Sequence, residues 1–575
     1  MDGTQLDQKL SGFSGSTDTP IRSGDQKITK IDILSSQVAG SLARFPIAPG
    51  TWTELNLYED IFSNFLKGNI TIVDNTGLME TLPIIGEEFL EIEMETPGSS
   101  PAGNLTGPEP EDIRQEVIKS KFRIVSVQNI TSSGERTQIY MLNFVSPEYI
   151  TNLRKKVQKC YPIGKSGQII SDIVKDVYLD YLSDPPNSKY LYVEDTIGMH
   201  SYAFPSFTPL QAMNFLSARA VSSNGLSSGS VFVFYELFGD GESEGSGFRF
   251  DSLETLMSKD SKAVYYYRPK NIKSDLGKGD FFNVEVFEVV SLFDTLGNLH
   301  DGMYVNRLIT HDIVRMKYDT IDYNYIIPTT LNQRVLEDDV VEESQNPTVN
   351  IGDRKIIKDD FSHLERFSVG PDMFNKMNTD HLDAGVQPDP KSNPARVSLY
   401  STNKDHDVLY NPVQQMFSGP PSQAQHDPTA TPPISKDDSF REAGIQSNKV
   451  EKWLLQRQVQ LKQLSNIKLR FTVSGNTSRH VGDVIEFRMP TTQKVEDTIN
   501  EHQFYGGRYL ILSIRHRFTT VSHHMDLEVA KDSFYNKLDQ QFINDPSSRD
   551  PMGSSAIVDG QVKYSEDGKR VIGGF

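Results

Sequence analysis

The chain has 575 residues, of which 37% are apolar and 10% aromatic, and its formal net charge is −19. This length predicts two to four domains with cores of their own, and the charge excludes the overall basic footprint of a nucleic-acid-binding protein. The single cysteine, Cys160, excludes an internal disulfide framework and a multi-cysteine zinc site, and we interpret it as an ordinary thiol.

Composition also bears on the fold and on the compartment. Phe (31) and Tyr (23) are plentiful while Trp is rare (2), which favours sheets over helical bundles. No run approaches the ~18 apolar residues of a membrane span. Residues 1–9 lack the basic and then apolar pattern of a signal peptide. We therefore expect the protein to be made and folded in a cytoplasm.

The first third of the chain alternates in the manner of strands. Residues 1–27 are polar and predict a flexible N-terminal arm. Residues 28–150 predict a first tube-like β-domain, with segments such as Phe89–Glu95 in strict apolar–acidic alternation. A Pro-, Gly- and Ser-rich loop insert is expected at 97–117 within it.

The middle of the chain mixes helical and strand patterns. Residues 151–270 predict an intervening α/β domain, with apolar residues at helical spacing from Ile169 and a second helix opening at Pro209. Residues 271–334 predict strands that bridge to a second β-domain.

The last part of the chain begins with a compositional change. Residues 335–449 are acidic and rich in Pro and Ser, which predicts an extended insert because so long a structureless stretch is foreign to a compact domain. Residues 450–535 predict the second tube-like β-domain, opened by an amphipathic helix, and 536–575 form a polar C-terminal tail.

The two strand-rich regions resemble each other in four successive segments. The pairs are 70–77 with 469–477, 85–92 with 481–487, 122–129 with 509–516, and 139–144 with 525–529. Four corresponding strands in one order predict an internal structural repeat of two antiparallel β-barrels. Three such chains around an axis would form a ring of six similar domains, because closed rotational assembly satisfies exposed sheet edges.

Several stretches resemble the baseplate hub proteins of contractile-tailed, myovirus-like bacteriophages, which are related to the hub part of type VI secretion spike proteins. The stretches are 57–74 with 82–88, 206–216 with 232–236, 301–314, and the closing β-region that ends at 529–532. They cover most of 28–330 and 450–535, and their specificity comes from order and number. The long insert at 335–449 departs from the compact members of the family.

The resemblance implies a mainly β fold with an α/β insertion, two tube-like barrels and long extended arms. It implies a structural homotrimer of the virion tail baseplate, assembled in the host cytoplasm, which adapts the sixfold tail tube to the threefold central spike. The implied partners are the spike, a tail tube or tube-initiator protein, the tape-measure protein and baseplate wedge proteins. DNA would pass through the lumen during ejection without sequence-specific binding. We further expect an acidic lumen, from the charge of −19.

Two glycine-containing segments invite ligand-binding interpretations that their spacing does not support. Residues 163–166 end like a phosphate loop, but the glycine that the pattern needs five residues before Gly164 is Lys159. Residues 239–247 are acidic and glycine-rich, yet they lack the alternating ligands and distal glutamate of a calcium loop. We interpret these as a turn before a helix and as a solvated hairpin turn with at most a weak ion site.

Three histidines near the C-terminus and three basic spots could suggest binding sites. His523 and His524 are adjacent on a strand and point to opposite faces, so only one of them can join His516. We expect these three to be surface or edge histidines. The basic spots at 515–517, 154–156 and Arg441 predict solvated faces or interface ion pairs.

We expect no enzymatic activity, no catalytic, cofactor-binding or metal-binding residues, and no cofactor. No Gly-x-Ser-x-Gly elbow occurs in a strand–turn–helix setting. The alternatives are another tail component, such as a distal tail or tube-initiator protein, and a hub-associated peptidoglycan hydrolase. A carbohydrate-binding module is hard to reconcile with two tryptophans.

Overall fold

A computed structural model describes most of the chain up to residue 324 and most of 450–531, with isolated strands elsewhere. The described residues are 24, 26–35, 43–48, 50–82, 84–97, 115–133, 137–161, 169–183, 189–196, 200, 202–223, 231–239, 246–267, 282–292, 294–301, 305–312, 317–324, 348–351, 354–357, 396–402, 450–464, 467–489, 505–531, 557–558 and 561–562.

The strands, numbered along the chain, are β1 (Lys27–Ser35), β2 (Ala43–Pro46), β3 (Trp52–Asp60), β4 (Lys67–Asp74), β5 (Phe89–Pro97), β6 (Gln115–Ser132), β7 (Gln138–Val145), β8 (Cys160–Tyr161), β9 (Leu191–Val193), β10 (Tyr202–Ala203), β11 (Phe232–Leu237), β12 (Gly247–Ser252), β13 (Ser261–Tyr267), β14 (Asn283–Leu292), β15 (Val305–Asp312), β16 (Lys317–Asn324), β17 (Thr348–Ile351), β18 (Arg354–Ile357), β19 (Arg396–Thr402), β20 (Ile467–Ser474), β21 (Val484–Arg488), β22 (Gly507–Thr519), β23 (His523–Lys531), β24 (Ile557–Val558) and β25 (Gln561–Val562).

The helices are α1 (Leu78–Thr81), α2 (Pro147–Arg154), α3 (Ile170–Val177, continued by a π-helical turn at Tyr178–Leu182), α4 (Pro209–Ser217), α5 (Leu253–Met257), α6 (Thr295–His300) and α7 (Val450–Gln463). Among the described residues, none of these helices is long and apolar enough to cross a membrane.

The predicted mainly β fold class is confirmed, and its centre is one thirteen-stranded sheet. Six of the thirteen strands, β14, β20, β23, β22, β21 and β13, close on themselves into a barrel. The barrel is not wholly antiparallel, because β13 runs parallel to both β14 and β21. Its interior is filled by inward-facing aromatic and branched side chains, among them Phe471, Phe487 and Tyr509.

The other seven strands form the first sheet, in the order β2-β1-β5-β6-β7-β4-β3. They curl around a core of alternating apolar residues such as Leu55, Ile70 and Phe144. Within the described residues no backbone ladder joins β2 to β3, so the seven strands do not close on themselves.

Both units have the same strand order. In the first sheet it is β3-β4-β7-β6-β5-β1, and in the barrel it is β14-β20-β23-β22-β21-β13. In both lists the last strand comes first in the chain, and the others follow it in matching order. The four segment pairs matched in the sequence fall on β4 with β20, β5 with β21, β6 with β22, and β7 with β23. The two units therefore repeat one strand order, and five of the six positions also agree in strand direction; β13 differs, because it runs parallel to β21 whereas β1 runs antiparallel to β5. The first unit also adds β2.

A smaller α/β unit lies between the repeats in sequence. It packs α2, α3 and α4 against the three-stranded sheet β11-β12-β9 around an aromatic-rich core. Thr208 starts α4 with a capping box, since its hydroxyl accepts from the Gln211 amide (3.2 Å) while the Gln211 side chain accepts from the Thr208 amide (2.9 Å).

Three features differ in position from the sequence-based ranges. β13 lies within the α/β domain predicted at 151–270 and β14 within the bridging strands predicted at 271–334, yet both are strands of the barrel. β6 starts at Gln115, inside the loop insert expected at 97–117. Of the insert expected at 335–449, the structure describes only β17, β18 and β19.

Candidate functional site: the junction between the two repeats

The two repeats are joined edge to edge by β3 of the first and β22 of the second. The strands pair antiparallel over seven residues, from Ser513 opposite Asp60 to Thr519 opposite Glu54. Phe518 reaches from β22 into the core of the first sheet, where it packs with Leu55 and Leu57. A continuous sheet with a shared apolar layer thus makes the junction rigid.

Glu59 is the buried anchor of this junction. Its carboxylate accepts hydrogen bonds from the backbone amides of Phe238 (2.8 Å) and Val481 (3.1 Å), and it lies 3.2 Å from Nδ1 of His480. Burial alone would raise the pKa of Glu59, but the charge and hydrogen bond of His480 lower it. Conversely, burial disfavours the charge on His480, and Glu59 nevertheless raises its pKa. The two form a buried ion pair between the repeats.

His516 and His523 form a second buried contact behind Glu59, so the expectation that they are surface or edge histidines was wrong. Their side chains are fully buried, and Nδ1 of His516 lies 3.2 Å from Nε2 of His523. Burial lowers the pKa of His516 to about 4 and places that of His523 well below its usual value. His524 points to the opposite face, 3.7 Å from Glu285, as strand alternation requires.

The other face of the joined strands carries interleaved charges. Arg515 donates from Nε to Asn56 Oδ1 (3.0 Å) and from Nη2 to Glu54 Oε1 (3.1 Å), and so spans the junction. Further along the same face Arg470 lies between Glu288 (3.3 Å) and Glu528 (3.8 Å). Within the basic spot at 515–517, Arg515 therefore pairs with carboxylates of its own chain, and a role of this spot between chains stays a prediction.

A buried network ties the α/β unit to the first sheet. Glu236 accepts from the Leu66 amide (3.0 Å) and the Ser146 hydroxyl (2.5 Å), and Lys189 pairs with both Glu236 and Glu148. Burial opposes the charge of Lys189, yet the two carboxylates raise its pKa; burial raises that of Glu236. Because the network holds the β3–β4 turn in place, the α/β unit braces the junction from the side.

The buried charged side chains described above form hydrogen bonds and ion pairs that link one structural element to another. Among the described residues, no group of three or more His, Cys, Asp and Glu side chains is arranged to hold a metal ion. The buried carboxylates Glu59 and Glu236 are both hydrogen-bonded to groups from other elements. What the arrangement can do is hold two repeats at a fixed angle.

Of the other candidate residues in the sequence, those that the structure describes lie in the α/β unit, away from the junction. Cys160 is an exposed free thiol on β8, and of 154–156 the first residue ends α2 while the other two follow it. Residues 163–166, most of 239–247, and Arg441 lie outside the described residues.

Sequence reasoning missed Glu59 and His480. The segment from Leu55 to Glu59 alternates as a strand, which places Glu59 on the apolar face with Leu55 and Leu57. An acidic residue on that face signals a buried partner. The partner could not be identified because His480 is some 420 positions away in the chain.

No family model and no curated protein matches the sequence. Among solved structures, a tail protein from Neisseria meningitidis MC58 is similar, with 9% identity and a TM-score of 0.39, over 88% of this chain and 96% of that one. The 43 kDa tail protein of prophage MuSo2 from Shewanella oneidensis has 8% identity and a TM-score of 0.36, over 88% and 98%. A type VI secretion component of E. coli has 7% identity and a TM-score of 0.30, over 89% and 79%.

Proposed function

We propose that the chain is a structural hub of a phage tail baseplate, a homotrimer that adapts the sixfold tail tube to the threefold spike. The observation that carries the proposal is the repeat of one strand order in two units that are joined edge to edge within one chain. A protein with a single tube-like unit, as expected of a distal tail protein, would lack this repeat.

The repeat matters because of symmetry. Three chains with two similar units each supply six similar units, so one face of the ring can match a sixfold partner while the chain itself obeys threefold symmetry. The Glu59–His480 pair and the shared apolar layer keep the two units of each chain at one angle. A ring built from such pairs is stiff, as a force-bearing adaptor requires.

The proposed partners are the spike on the threefold side and the tube, tube-initiator and tape-measure proteins on the sixfold side, with wedge proteins outside. The protein would be assembled in the host cytoplasm and reside in the virion tail. The face that bears Arg515 and Arg470 is the candidate lining of the DNA conduit. Its basic side chains are paired with Glu54, Glu288 and Glu528. A passing polyanion would therefore meet balanced charge on this face, and not the acidic lining that the net charge of −19 suggests.

Light scattering on the purified chain, alone and mixed with its candidate spike, tests the proposal. We expect three times the chain mass of 64.7 kDa, capture of the spike, and rings with six density lobes in negative-stain images. A monomer at micromolar concentration, or rings with twofold symmetry, would contradict the hub.

We also propose that the protein is not an enzyme. The buried carboxylates described above are occupied by hydrogen bonds between elements, which is a packing role. Zymography with bacterial cell walls checks this, and we expect no clearing. Clearing that disappears when one acidic pair is replaced would favour a peptidoglycan hydrolase.

A further inference from the structure

The edge of β3 that pairs with β22 in the first repeat has a counterpart in the second repeat, on β14, that is largely unpaired within the described residues. In the first repeat, the outer edge of β3 pairs with β22. Its counterpart β14 pairs with β13 only at Asn283 and Val284. Within the described residues, the same edge of β14 has no ladder partner from Val286 to Val290.

The partner strand shows the same difference. In the second repeat, one edge of β22 pairs first with β21 and then, from Ser513 onward, with β3. Its counterpart β6 pairs on that edge with β5 only up to Arg123. From Val127 to Thr131 this edge of β6 has no ladder partner among the described residues.

These two edges are also apolar and exposed. Six of the fifteen exposed large apolar side chains in the described part of the chain lie on β6 and β14: Val125, Ile130, Val286, Val289, Val290 and Leu292. Leu57 on β3 is 1% exposed at the internal junction, whereas Val289, its counterpart on β14, is 38% exposed. Long apolar edges of this kind are templates for adding another strand.

The correspondence between the repeats can be followed residue by residue from a shared bulge. The ladder of β6 with β7 is interrupted between Ile124 and Ser126, and that of β22 with β23 between Ile511 and Ser513. Ser126 and Ser513 are therefore equivalent. Starting from each serine, the directly opposed residues of successive strands form a row across the sheet. In the first repeat the row is Ser126, Asn143, Asn69 and Asn56. In the second repeat it is Ser513, Glu528, Arg470 and Glu288.

The same rows fix which residues would meet. Glu288 is equivalent to Asn56, which faces Arg517 at the internal junction. Thr131 is equivalent to Arg517, because their partners on the next strand, Ile139 and His524, lie at the same distance from the bulge. Thr131 and Glu288 therefore occupy the positions of an opposed pair.

Each edge also carries one extra residue, and the two extra residues coincide. β6 has a second irregularity between Gln128 and Thr131 that β22 lacks. β14 shares its irregularity between Val284 and Val286 with β3 and has a second one between Val289 and Ser291 that β3 lacks. Counted from Thr131 opposite Glu288, Ile130 then faces Val289 and Asn129 faces Val290. An insertion in one strand alone would break the ladder, whereas insertions in both restore it.

We propose that β14 of one copy pairs antiparallel with β6 of the next copy, with Ile130 opposite Val289. This inference rests on the homotrimer of the proposed function and names the surface that forms it. The occupant is a second copy of this chain because the missing contact repeats one that the chain already makes internally. Since β14 and β6 are different surfaces, the contact runs head to tail, and with the threefold rotation of the proposed homotrimer it closes into a ring.

Cysteine cross-linking of the full chain tests the pairing. In a Cys160→Ser background, Ile130→Cys with Val289→Cys is oxidised after purification and run on a non-reducing gel. Directly opposed residues have Cα atoms about 4.5–5.5 Å apart, within the reach of a disulfide. We expect covalent dimers and trimers that collapse to monomers on reduction.

The matched control moves one cysteine along the same strand. Ile130→Cys with Val286→Cys places the second thiol three residues away, about 10 Å along β14, and should give less than one tenth of the cross-linked trimer. Equal cross-linking of both pairs overturns the register. A trimer in light scattering without cross-linking at 130 and 289 overturns this interface but leaves the hub standing. A monomeric wild-type chain overturns both.

Discussion

Glu59 shows how one charged residue can lock two repeats together. It is buried between them, accepts hydrogen bonds from two backbone amides and pairs with His480. Removing its charge therefore leaves a buried histidine without its counter-ion. We expect Glu59→Gln to lower the free energy of unfolding by about 3 kcal/mol, the low end for breaking a buried pair. Urea denaturation at pH 7 measures it. Glu80→Gln, an exposed position in α1, should change stability by less than about 0.5 kcal/mol.

The buried pair His516 and His523 predicts a pH dependence of stability. Both pKa values are lowered, that of His516 to about 4, so below pH 6.5 the unfolded chain binds protons that the folded chain does not. Stability should therefore fall as the pH drops from 6.5 towards 4, by up to about 1.4 kcal/mol per pH unit for each histidine. His480 acts in the opposite sense: its raised pKa adds stability that is complete below 6.5 and is lost as the pH rises through its folded value.

Urea denaturation at pH 5, 6 and 7.5 checks this. His516→Leu should reduce the slope of stability against pH on the acidic side, while His524→Leu, which retains both buried histidines, should keep it. An unchanged slope in His516→Leu would show that the acid sensitivity arises elsewhere.

Residues of this kind were only partly predictable from the sequence. Alternation correctly separated His524 from His523, since it depends only on strand geometry. The burial of His516 and His523 was missed because the surface that covers them comes from distant parts of the chain; Phe238, next to β11 of the α/β unit, packs on His516.

At the scale of elements, the exposed edges decide association. Ile130→Lys places a charge at the centre of the proposed β6–β14 pairing, where its burial opposes assembly. We expect the dissociation constant of the trimer to rise at least tenfold, measured by sedimentation at several concentrations. The control Leu179→Lys changes an equally exposed residue on the π-helical turn and should leave association unchanged.

Elements were predicted well where they are local and poorly where they depend on distant partners. The four matched segments fell on equivalent strands, because alternation and turn residues are local features that each segment carries in its own sequence. The membership of β13 and β14 in the barrel was not seen, since their partners β21 and β20 lie some 175–220 positions further on. Nothing in a single strand states which edge it will join.

At the scale of the whole molecule, substitutions that remove acidic side chains from the face bearing Arg470 test whether its balanced charge keeps DNA from binding. Glu288→Lys with Glu528→Lys would leave Arg470 and Lys468 without their acidic partners and add two cations. We expect the variant to retain double-stranded DNA at 50 mM salt and to release it at 200 mM, because phosphate contacts weaken steeply with salt. The wild type should retain none in a filter-binding assay.

A variant with the same change of charge off this face is the control. Glu80→Lys with Asp172→Lys, the first exposed and the second partly exposed on helices, should not retain DNA. Retention by both variants would mean that net charge, and not the face bearing Arg470, governs contact with DNA.

The separation of the barrel strands along the chain has a consequence for biosynthesis. β13 and β14 are translated long before β20–β23, the strands that complete their barrel. At 5–20 residues per second, the interval between β14 and β20 lasts roughly 10–40 s. During that time the nascent chain exposes Val286 and its neighbours without β20 and without a second copy. Productive folding should therefore depend on how well the cell's chaperones shield this stretch until translation has passed Lys531.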